Sequence, residues 1–340
     1  MKTVLVTGGS GFLGSALVDR LAKDHYVVSM DIADRVLDNN NTLFFNGDVR
    51  SLIDCDNATK EVDVVYHCAA NVPLMRLSKE EYWLNNAIGT RNMLHSSMVN
   101  GVKNFVYISS SAVYHAQNEL ISEKTKTNPL GVYGLSKFGG EEYCNMYRHL
   151  VPMADGREMA INIVRPRTII GKDRIGVLSI FFDWISKNKN CYILGDGSNR
   201  YQLLHLDDLI GFLVWMRDAT ESEDYNLGTD NYLTLKEELE AVIQSSGSTS
   251  KVVSLPSSIV KPIIRLLDKL NVIPIVDWHY ETVDKHFAFN VSKAKGTGWE
   301  PMYTNYQMLL EAYLSYCNNK NTKGNSPHLS KVNQKLMKYI

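Results

Sequence analysis

The chain has few cysteines, and their positions do not form the pairs that disulfide scaffolds and metal clusters need. The five lie far apart and without a Cys-x-x-Cys motif, at Cys55, Cys68, Cys144, Cys191 and Cys317. An odd number of widely spaced cysteines favours reduced thiols in the cytoplasm over a secreted disulfide framework. We therefore expect a cytoplasmic protein with no bound metal.

Long apolar runs, a signal sequence and an excess of either charge are also lacking. No stretch reaches the apolar length of a membrane span, and the start, MKTVLVTGGSGFLG, has no apolar signal core. The 36 basic and 37 acidic residues leave a formal net charge of -1. We therefore expect no transmembrane segment, no secretory signal and no nucleic-acid partner.

The first half of the chain alternates short β-branched runs with helical segments. Its 340 residues, 44% of them hydrophobic, suffice for one large domain or two lobes. The runs typical of buried strands are 2–7, 26–31, 42–46, 62–67, 103–109 and 161–165, with helical stretches near 11–23, 79–99 and 132–149. This alternation predicts an α/β fold with a doubly wound parallel sheet covered by helices on both faces.

The alternation becomes irregular after Gly171, which predicts a division of the chain into two parts. We expect a parallel-sheet domain over 1–165, joined by a returning segment near 203–230. A smaller lobe over 166–340 would form most of the second part.

Two segments of this second part have an unusual composition. Residues 257–273 carry apolar side chains at helical spacing, interrupted by Pro262, and either pack on the protein or rest on a membrane surface. The chain after Glu311 is rich in lysine, which predicts a solvated end or a final peripheral helix, with a flexible stretch near 320–327.

A glycine-rich turn, VLVTGGSGFLG, follows the first predicted strand. Gly8, Gly11 and Gly14 recur at three-residue intervals, with Phe12 and Leu13 at the start of the next predicted helix. Residues without side chains let backbone N–H groups approach a pyrophosphate, and the helix N-terminus adds partial positive charge. Because the turn stands between a strand and a helix, we interpret it as a dinucleotide-binding site and not as an unliganded tight turn.

An acidic residue ends the second predicted strand. Asp31 lies about 20 residues past the glycines, where a carboxylate accepts hydrogen bonds from the ribose hydroxyls and repels a 2′-phosphate. The position predicts NAD as the cofactor. Arg35, four residues on, offers a cationic partner to a 2′-phosphate, so NADP stays an alternative.

Further short motifs follow in order along the chain. They are NGDVR at 46–50, HCAA at 67–70, NNAIGT at 85–90, YISSSAVY at 107–114 and the pair Tyr133-x-x-x-Lys137. With the glycine turn, this set resembles the extended short-chain dehydrogenase/reductase family, close to its NAD-dependent nucleotide-sugar epimerase branch. The resemblance covers about residues 1–170 and reappears at LGDGSN and GWEP. It implies a Rossmann-type fold and an NAD-dependent enzyme.

The resemblance implies further cofactor contacts. Asp48 and Val49 would hold the adenine by hydrogen bond and packing, and Asn86 matches the family's helix asparagine near the active site. Three small residues would line the cofactor, where they let the backbone come close: Cys68, Ala69 and Ala70. The apolar neighbours of Cys68 favour a packing role over that of a nucleophile.

Tyr133 and Lys137 are four residues apart, which places them on one face of the predicted helix. A tyrosine with the ordinary pKa of about 10 is a poor base at neutral pH. A nearby ammonium stabilises the phenolate, so Tyr133 can take the proton of a substrate hydroxyl while hydride leaves the same carbon for the nicotinamide. In the family that the chain resembles, the lysine also binds the ribose of the cofactor.

A hydroxyl is expected beside the tyrosine, and the run SSSAVY supplies three serines at the end of the fifth strand. In the sugar-nucleotide enzymes that the chain resembles, the catalytic hydroxyl lies four residues before the motif's tyrosine. That residue is Ser110 here, with Ser111 the next candidate. The related dehydratases carry an Asp–Glu pair directly after this hydroxyl. Ser111 and Ala112 stand there in this chain, so the acid/base pair that eliminates water is missing.

Two enzymatic reactions remain, and a non-enzymatic NAD-binding regulator on the same scaffold is a third interpretation. An epimerase removes hydride from a sugar carbon and returns it to the other face, whereas a dehydrogenase of a steroid-like or other apolar alcohol transfers it once. The retained tyrosine, lysine and serine favour an enzyme. Because LGDGSN and LLHLDDL resemble the sugar-nucleotide pattern, we predict a UDP-sugar 4-epimerase that acts through a transient 4-keto intermediate.

Three residues are candidates for binding a nucleotide-sugar. The family's Arg-Pro-x-Asn-x-x-Gly motif reads RPRTIIG here, with Thr168 in place of the asparagine and Arg167 before it, and Arg200 stands one place early relative to the family pattern. A planar guanidinium suits diphosphate oxygens, and a surface ion pair is the alternative for each arginine. Family members often form dimers through a four-helix contact, which would use the helices near 79–99 and 132–149.

Overall fold

The structure, a computed structural model, describes residues 1–34, 40–75, 77–150, 158–171, 176–269 and 282–321. Within these ranges the strands are β1 (Thr3–Thr7), β2 (Tyr26–Asp31), β3 (Thr42–Asn46), β4 (Val64–His67), β5 (Asn104–Ile108), β6 (Ala160–Pro166), β7 (Thr168–Ile170), β8 (Cys191–Leu194), β9 (Leu203–His205), β10 (Asp224–Leu227) and β11 (Val252–Leu255). The helices are α1 (Phe12–Leu21), α2 (Leu52–Ala58), α3 (Lys79–Trp83), α4 (Gly89–Val99), α5 (Gly131–Leu150), α6 (Ser179–Ser186), α7 (Leu206–Met216), α8 (Leu235–Ser246), α9 (Ser257–Lys269), α10 (Ser292–Lys295) and α11 (Asn305–Asn321).

The helix predicted over 79–99 is present, with one irregularity. A π-helical turn, Leu84–Ile88, joins α3 to α4, so the backbone stays helical while its hydrogen bonds are wider for that one turn. The helix begins with a capping box in which Ser78 and Glu81 each accept a backbone N–H from the other.

Seven of the strands form one parallel sheet in the order β10-β6-β5-β4-β1-β2-β3. Chain progression reverses between β1 and β4, which opens a crevice outside the carboxyl ends of these two strands. The predicted doubly wound α/β fold is confirmed. The edge strand β10 comes from far along the chain, and the proposed domain boundaries stay a prediction.

The core lies in two layers, one on each face of this sheet. In β1, Val4 and Val6 pack in the cluster that contains residues of α1 and α7, whereas Leu5 packs in the cluster that contains residues of α4 and α5. All three side chains are fully buried, because helices cover both faces. The strand ends and the turns that follow them therefore lie at the edge of a sheet that is packed on both faces.

The later part of the chain adds two short parallel pairs, β7 with β9 and β8 with β11. A separate core cluster joins α6, α8 and α11 through residues such as Phe182, Val242 and Met308. Because β7 follows β6 after one residue, this cluster is attached directly to the carboxyl edge of the main sheet.

The predicted apolar stripe over 257–273 corresponds to α9, and residues 270–273 of it lie outside the described ranges. Along α9, Ile259, Ile263 and Leu266 are each more than half exposed, so these apolar side chains do not pack on the described part of the protein. The helices in the described ranges include none that is both long and apolar enough to cross a bilayer.

Candidate functional site

The glycine turn lies between β1 and α1 at the carboxyl edge of the sheet. Gly8 has a φ of +69°, which residues with a side chain rarely adopt, and a Cβ atom there would lie 2.8 Å from the Ala69 backbone nitrogen. The Gly11 N–H donates to the Gly8 carbonyl at 2.9 Å and closes the turn. Because Gly11 is also the N-cap of α1, no capping side chain covers the first N–H groups of this helix, and the turn fits a pyrophosphate.

The predicted ribose-binding carboxylate lies beside this turn. Asp31 Oδ2 accepts the Ser10 N–H and its Oδ1 accepts the Ala33 N–H, both at 3.0 Å. These bonds hold the carboxylate against the turn, and each oxygen keeps a lone pair for a ribose hydroxyl. Arg35, on which the NADP alternative depends, lies outside the described residues.

The two residues expected at the adenine lie between β3 and α2. The Arg50 guanidinium donates to both oxygens of Asp48, and this hydrogen bonding lowers the pKa of the Asp48 carboxyl. Val49 is buried, and its carbonyl accepts a hydrogen bond from the Asn92 amide at 3.1 Å. Both residues are therefore held in place, while their contact with adenine stays a prediction.

A buried hydrogen-bonded chain, absent from the sequence-based expectations, runs beneath the predicted cofactor wall. The Ala69 N–H donates to Thr7 Oγ1 at 3.2 Å, and this hydroxyl lies 2.8 Å from His67 Nδ1. On the other side, His67 Nε2 lies 3.1 Å from Thr90 Oγ1, which donates to the Asn86 carbonyl at 2.6 Å. Because Thr90 donates its proton onward, the ring proton of His67 lies on Nε2. Burial lowers the pKa of His67 to about 3, so the ring is neutral.

Asn86 lies in the π-helical turn and joins two parts of the site. Its Oδ1 accepts the Asn71 N–H at 2.7 Å, and its Nδ2 donates to the Asn71 carbonyl at 3.0 Å and to Ser136 Oγ at 2.9 Å. Ser136 donates in turn to the Tyr133 carbonyl at 2.8 Å. This amide links the segment that follows Cys68, Ala69 and Ala70 to the helix that carries Tyr133.

Tyr133 and Lys137 lie one turn apart on α5. Tyr133 is half-buried, with its ring centre 6.4 Å from that of Tyr82. Lys137 is 1% exposed, and its Nζ lies 4.3 Å from the ring centre of Tyr107. Burial lowers the pKa of Lys137 to about 8. Burial also raises the pKa of the Cys68 thiol to about 12, so the thiol is neutral, as the packing role requires.

The three serines at the end of β5 have different surroundings. Ser109 is buried and donates to Glu141 Oε1 at 2.5 Å. Ser110 is half-buried, and its Oγ accepts the Ala112 N–H at 3.1 Å, which leaves its proton for another acceptor. Ser111 is 3% exposed. The geometry therefore favours Ser110 as the hydroxyl that a substrate can reach.

Helix α5 meets the serine run at Gly134. A Cβ atom at this position would lie 2.3 Å from the Ala112 carbonyl oxygen, so only glycine permits the approach. Gly134 directly follows Tyr133, and the contact therefore brings the tyrosine to the turn that begins after Ser110. Ala112 itself is buried.

Arg167 is 1% exposed, which excludes a surface ion pair. Its Nε donates to the Gln202 carbonyl at 3.2 Å, and the guanidinium lies 4.0 Å from the ring centre of Phe287 and 5.1 Å from that of Tyr201. Its two terminal nitrogens have no hydrogen-bond partner among the described residues. Burial lowers the pKa of Arg167 to about 10, so the side chain is a buried cation at neutral pH.

Of the other two candidate substrate residues, Thr168 contacts Tyr201 and Arg200 precedes it in the chain. Thr168 Oγ1 lies 2.9 Å from the Tyr201 hydroxyl, and both residues are partly exposed. Arg200 is exposed, and its N–H donates to His286 Nδ1 at 3.3 Å. The structure thus brings Arg167 and Thr168 together around one tyrosine and places Arg200 at the surface.

The two acidic residues in LLHLDDL, Asp207 and Asp208, differ in role. Asp208 is buried, and its carboxylate accepts the N–H groups of Met302 and Tyr303 at 3.0 and 3.3 Å. It therefore fixes the turn that follows GWEP. The N-cap of α7 is His205, whose Nδ1 accepts the Asp207 N–H at 3.2 Å.

Two features define the class of this protein: a parallel sheet with a glycine turn at its switch point, and a helix with the Tyr–Lys pair beside a serine. They are those of an enzyme of the extended short-chain dehydrogenase/reductase class. Within this class, the model of the NAD dependent epimerase/dehydratase family matches residues 4–228, and the chain belongs to that family. The prediction of an NAD-dependent enzyme is confirmed. NAD supplies a reversible acceptor for hydride when bound.

Similar proteins give the same assignment. An uncharacterised protein of Sinorhizobium fredii is 34% identical over 99% of this chain and 85% of its own length. A UDP-glucose 4-epimerase of Mycolicibacterium smegmatis is 28% identical over 73% of this chain and 83% of its own length. A structure of UDP-glucose 4-epimerase with UDP-glucose from Thermotoga maritima superposes with a TM-score of 0.74 at 20% identity, covering 94% of this chain and 99% of that one. The chain is thus a member of the nucleotide-sugar epimerase/dehydratase superfamily.

Proposed function

We propose that this protein is a UDP-sugar 4-epimerase that acts through a transient 4-keto intermediate. The observation that carries the proposal is the arrangement at the contact between α5 and β5. Tyr133 and the buried Lys137 lie on one helix, Ser110 lies beside it, and Ala112 occupies a position that an acid would need for dehydration. This set supports reversible hydride and proton transfer without elimination of water.

The cofactor would be held by residues at the switch point of the sheet. Gly8, Gly11, Phe12, Leu13 and Gly14 form the turn and the first turn of α1, which would bind the pyrophosphate. Asp31 would bind the ribose hydroxyls. Further contacts would come from Asp48 and Val49 at the adenine, and from Cys68, Ala69, Ala70 and Asn86 along the wall.

Tyr133 is the proton acceptor and donor of the proposed mechanism. It removes the proton of the sugar 4-hydroxyl as hydride leaves C4, and it returns the proton after hydride comes back to the other face. Lys137 stabilises the phenolate by its charge, which acts strongly because the ammonium is shielded from water. Ser110 donates a hydrogen bond to the same substrate oxygen, and Ser111 is the alternative.

The substrate would lie at the carboxyl edge between β6 and β9. Thr168 and Tyr201 present hydroxyl groups there, and Arg167 places an uncompensated cation behind them. Such a cation favours an anionic ligand, and the diphosphate of a UDP-sugar is one. Arg200 offers a second cation at the surface.

The protein is also proposed to form a homodimer in the cytoplasm. The helices expected at the contact expose large apolar side chains, with Trp83 and Leu84 about 40% and 47% exposed on one helix. On α5, Leu135 is 51% and Met146 38% exposed. Burial of these side chains against a second copy would remove apolar surface from water.

The test first measures the NAD released from the denatured protein and then the turnover of UDP-sugars. The purified protein, without added cofactor, should release close to one NAD per chain and interconvert UDP-glucose and UDP-galactose. Tyr133→Phe should keep the NAD and lose turnover by on the order of 10² to 10⁴-fold. Tyr143→Phe, on the same helix, is the matched control and should retain turnover.

Other outcomes would replace the proposal. A protein that purifies empty, needs added NAD and oxidises an apolar alcohol once would be a dehydrogenase. Release of a 4-keto-6-deoxy sugar would make it a dehydratase despite Ser111 and Ala112.

A further inference from the structure

A buried ion pair joins the helix that carries Tyr133 to β6, the strand next to the edge strand β10. Glu141 on α5 and Arg165 on β6 are 1% and 4% exposed. Arg165 Nε and one terminal nitrogen donate to the two oxygens of Glu141, both at 2.8 Å. Ser109, at the end of β5, donates to Glu141 Oε1 as well. The carboxylate therefore receives three hydrogen bonds from two neighbouring strands.

Two further donors of Arg165 are also satisfied. One terminal nitrogen donates to Asp224 Oδ2 at 2.8 Å and the other to the Tyr114 hydroxyl at 3.0 Å. Arg148, near the end of α5, pairs with Asp224 Oδ1 at 2.8 Å. Two arginines and two carboxylates thus form a neutral network, in which a bidentate fork permits little rotation.

The members of this network lie close in sequence to the proposed catalytic residues. Glu141 lies one helical turn after Lys137 and two turns after Tyr133, on the same face of α5. Ser109 directly precedes Ser110. The fork therefore connects the helix that carries the tyrosine and lysine with the strand end that carries the serine.

We propose that Glu141, held by Arg165 and Ser109, is a positioning residue that sets α5 against β5 so that Tyr133 and Lys137 face Ser110. The proposal rests on the roles assigned to those three residues under the proposed function. Without the fork, α5 can slide or rotate against the sheet, and a displacement of about 1 Å costs on the order of 10²-fold in rate.

Glu141 also acts on Lys137 through its charge. The groups that face Lys137 come from three places, namely His67 and Cys68 at the end of β4, Tyr107 of β5, and Tyr133, Glu141 and Cys144 of α5. The His67 ring and the two thiols are neutral, so Glu141 is the carboxylate in this set. Its charge raises the pKa of Lys137 against the larger effect of burial. Loss of that charge should let Lys137 lose its proton at lower pH.

The experiment compares three variants as the NAD-loaded protein. Glu141→Gln should lower kcat by about 10 to 100-fold with little change in KM, and should move the alkaline limb of the rate profile to lower pH. Glu141→Asp keeps the charge but is too short for the fork, so it should lose kcat with the alkaline limb unmoved. Ser109→Ala removes one hydrogen bond, should fold, and should give a smaller loss of kcat.

The control is Asp183→Asn, which breaks a buried contact with Lys187 and Tyr316 far from α5. It should change stability without changing the pH profile. Glu141 variants with wild-type kcat and pH profile, or a control with the same shift, would overturn the proposal.

If the wild-type protein has no epimerase activity, the proposed function fails first, and positioning is then tested without substrate. The tyrosinate absorbance of Tyr133, taken as the difference between the parent protein and its Tyr133→Phe form, should titrate at higher pH in the Glu141→Gln background. An unchanged titration would refute the positioning role on its own.

Discussion

Replacement of Lys137 by methionine should stabilise the protein while it abolishes turnover. Lys137 is 1% exposed, and burial lowers its pKa from an ordinary 10.5 to about 8. The folded protein therefore binds the Lys137 proton less tightly than the unfolded chain does. At neutral pH, folding must bury the charged ammonium in surroundings that disfavour it. Methionine has a similar length and no charge, so it keeps the packing and removes this penalty.

The magnitude follows from the two pKa values. The change from 10.5 to about 8 corresponds to about 3 kcal/mol at neutral pH, at about 1.4 kcal/mol for each tenfold change. The contact of Nζ with the Tyr107 ring, 4.3 Å from its centre, offsets up to about 2 kcal/mol of this, since a desolvated cation–π contact is worth that much. We therefore expect Lys137→Met to raise the free energy of unfolding by between about 1 and about 3 kcal/mol at pH 7.

The sign of the pH dependence is a further check. Between about pH 8 and 10.5 the unfolded chain binds one more proton than the folded protein at this site, so the parent gains stability as pH rises. The advantage of the variant should therefore be largest below pH 8 and should shrink by roughly 2 kcal/mol by pH 9.5. Urea denaturation of both proteins, stripped of nucleotide, at pH 7, 8, 9 and 9.5 measures this.

Two results would refute the reasoning. One is a variant that is less stable at pH 7 with an unchanged urea dependence, which would mean that the ammonium stabilises the fold. The other is a stability difference that does not change with pH. Saturating NAD provides an internal comparison. It should raise the free energy of unfolding more for the parent than for the variant, because only the parent has the lysine that would bind the ribose.

Three further predictions concern the cofactor, the substrate and the assembly. Asp31→Asn should shift the preference between NAD and NADP toward NADP by at least about tenfold, because it removes the charge that repels a 2′-phosphate. Arg167→Met should raise the KM for a UDP-sugar by about tenfold or more and leave the free energy of unfolding unchanged or higher, because it removes a buried cation that has no carboxylate partner among the described residues. Leu135→Glu should convert a dimer to a monomer in sedimentation velocity, because it places a charge on the exposed apolar face of α5.

Each of these variants has a matched control. Asp34→Asn changes an exposed carboxylate close to the same turn and should leave the preference for NAD intact. Lys251→Met removes an exposed cation outside the proposed site, so an effect on KM equal to that of Arg167→Met would contradict a special role for Arg167. Leu314→Glu, at an exposed position of α11, should not change the mass, and a protein that is monomeric before mutation would contradict the proposed dimer.

The main sheet and the glycine turn could be read from short stretches of sequence. The run predicted as 2–7 forms β1 over Thr3–Thr7, and the helix predicted near 132–149 is α5 over Gly131–Leu150. These features are local, since continuous apolar runs form strands that are buried on both faces and glycines allow the turn that follows. The π-helical turn could not be predicted, because the bonds that Asn86 makes there reach residues 15 and 50 positions away.

The spacing of Tyr133 and Lys137, and the order of the motifs around them, were determined by the sequence alone, because four residues make one helical turn in any protein. The tertiary structure decided which serine remains reachable, that Arg167 is buried, and that Glu141 pairs with Arg165. The last of these contacts joins residues far apart in the chain, since Arg165 and Ser109, 24 and 32 positions from Glu141, both donate hydrogen bonds to its carboxylate. Burial and charge compensation exist only after the helix has packed on the sheet, so no local pattern carries them.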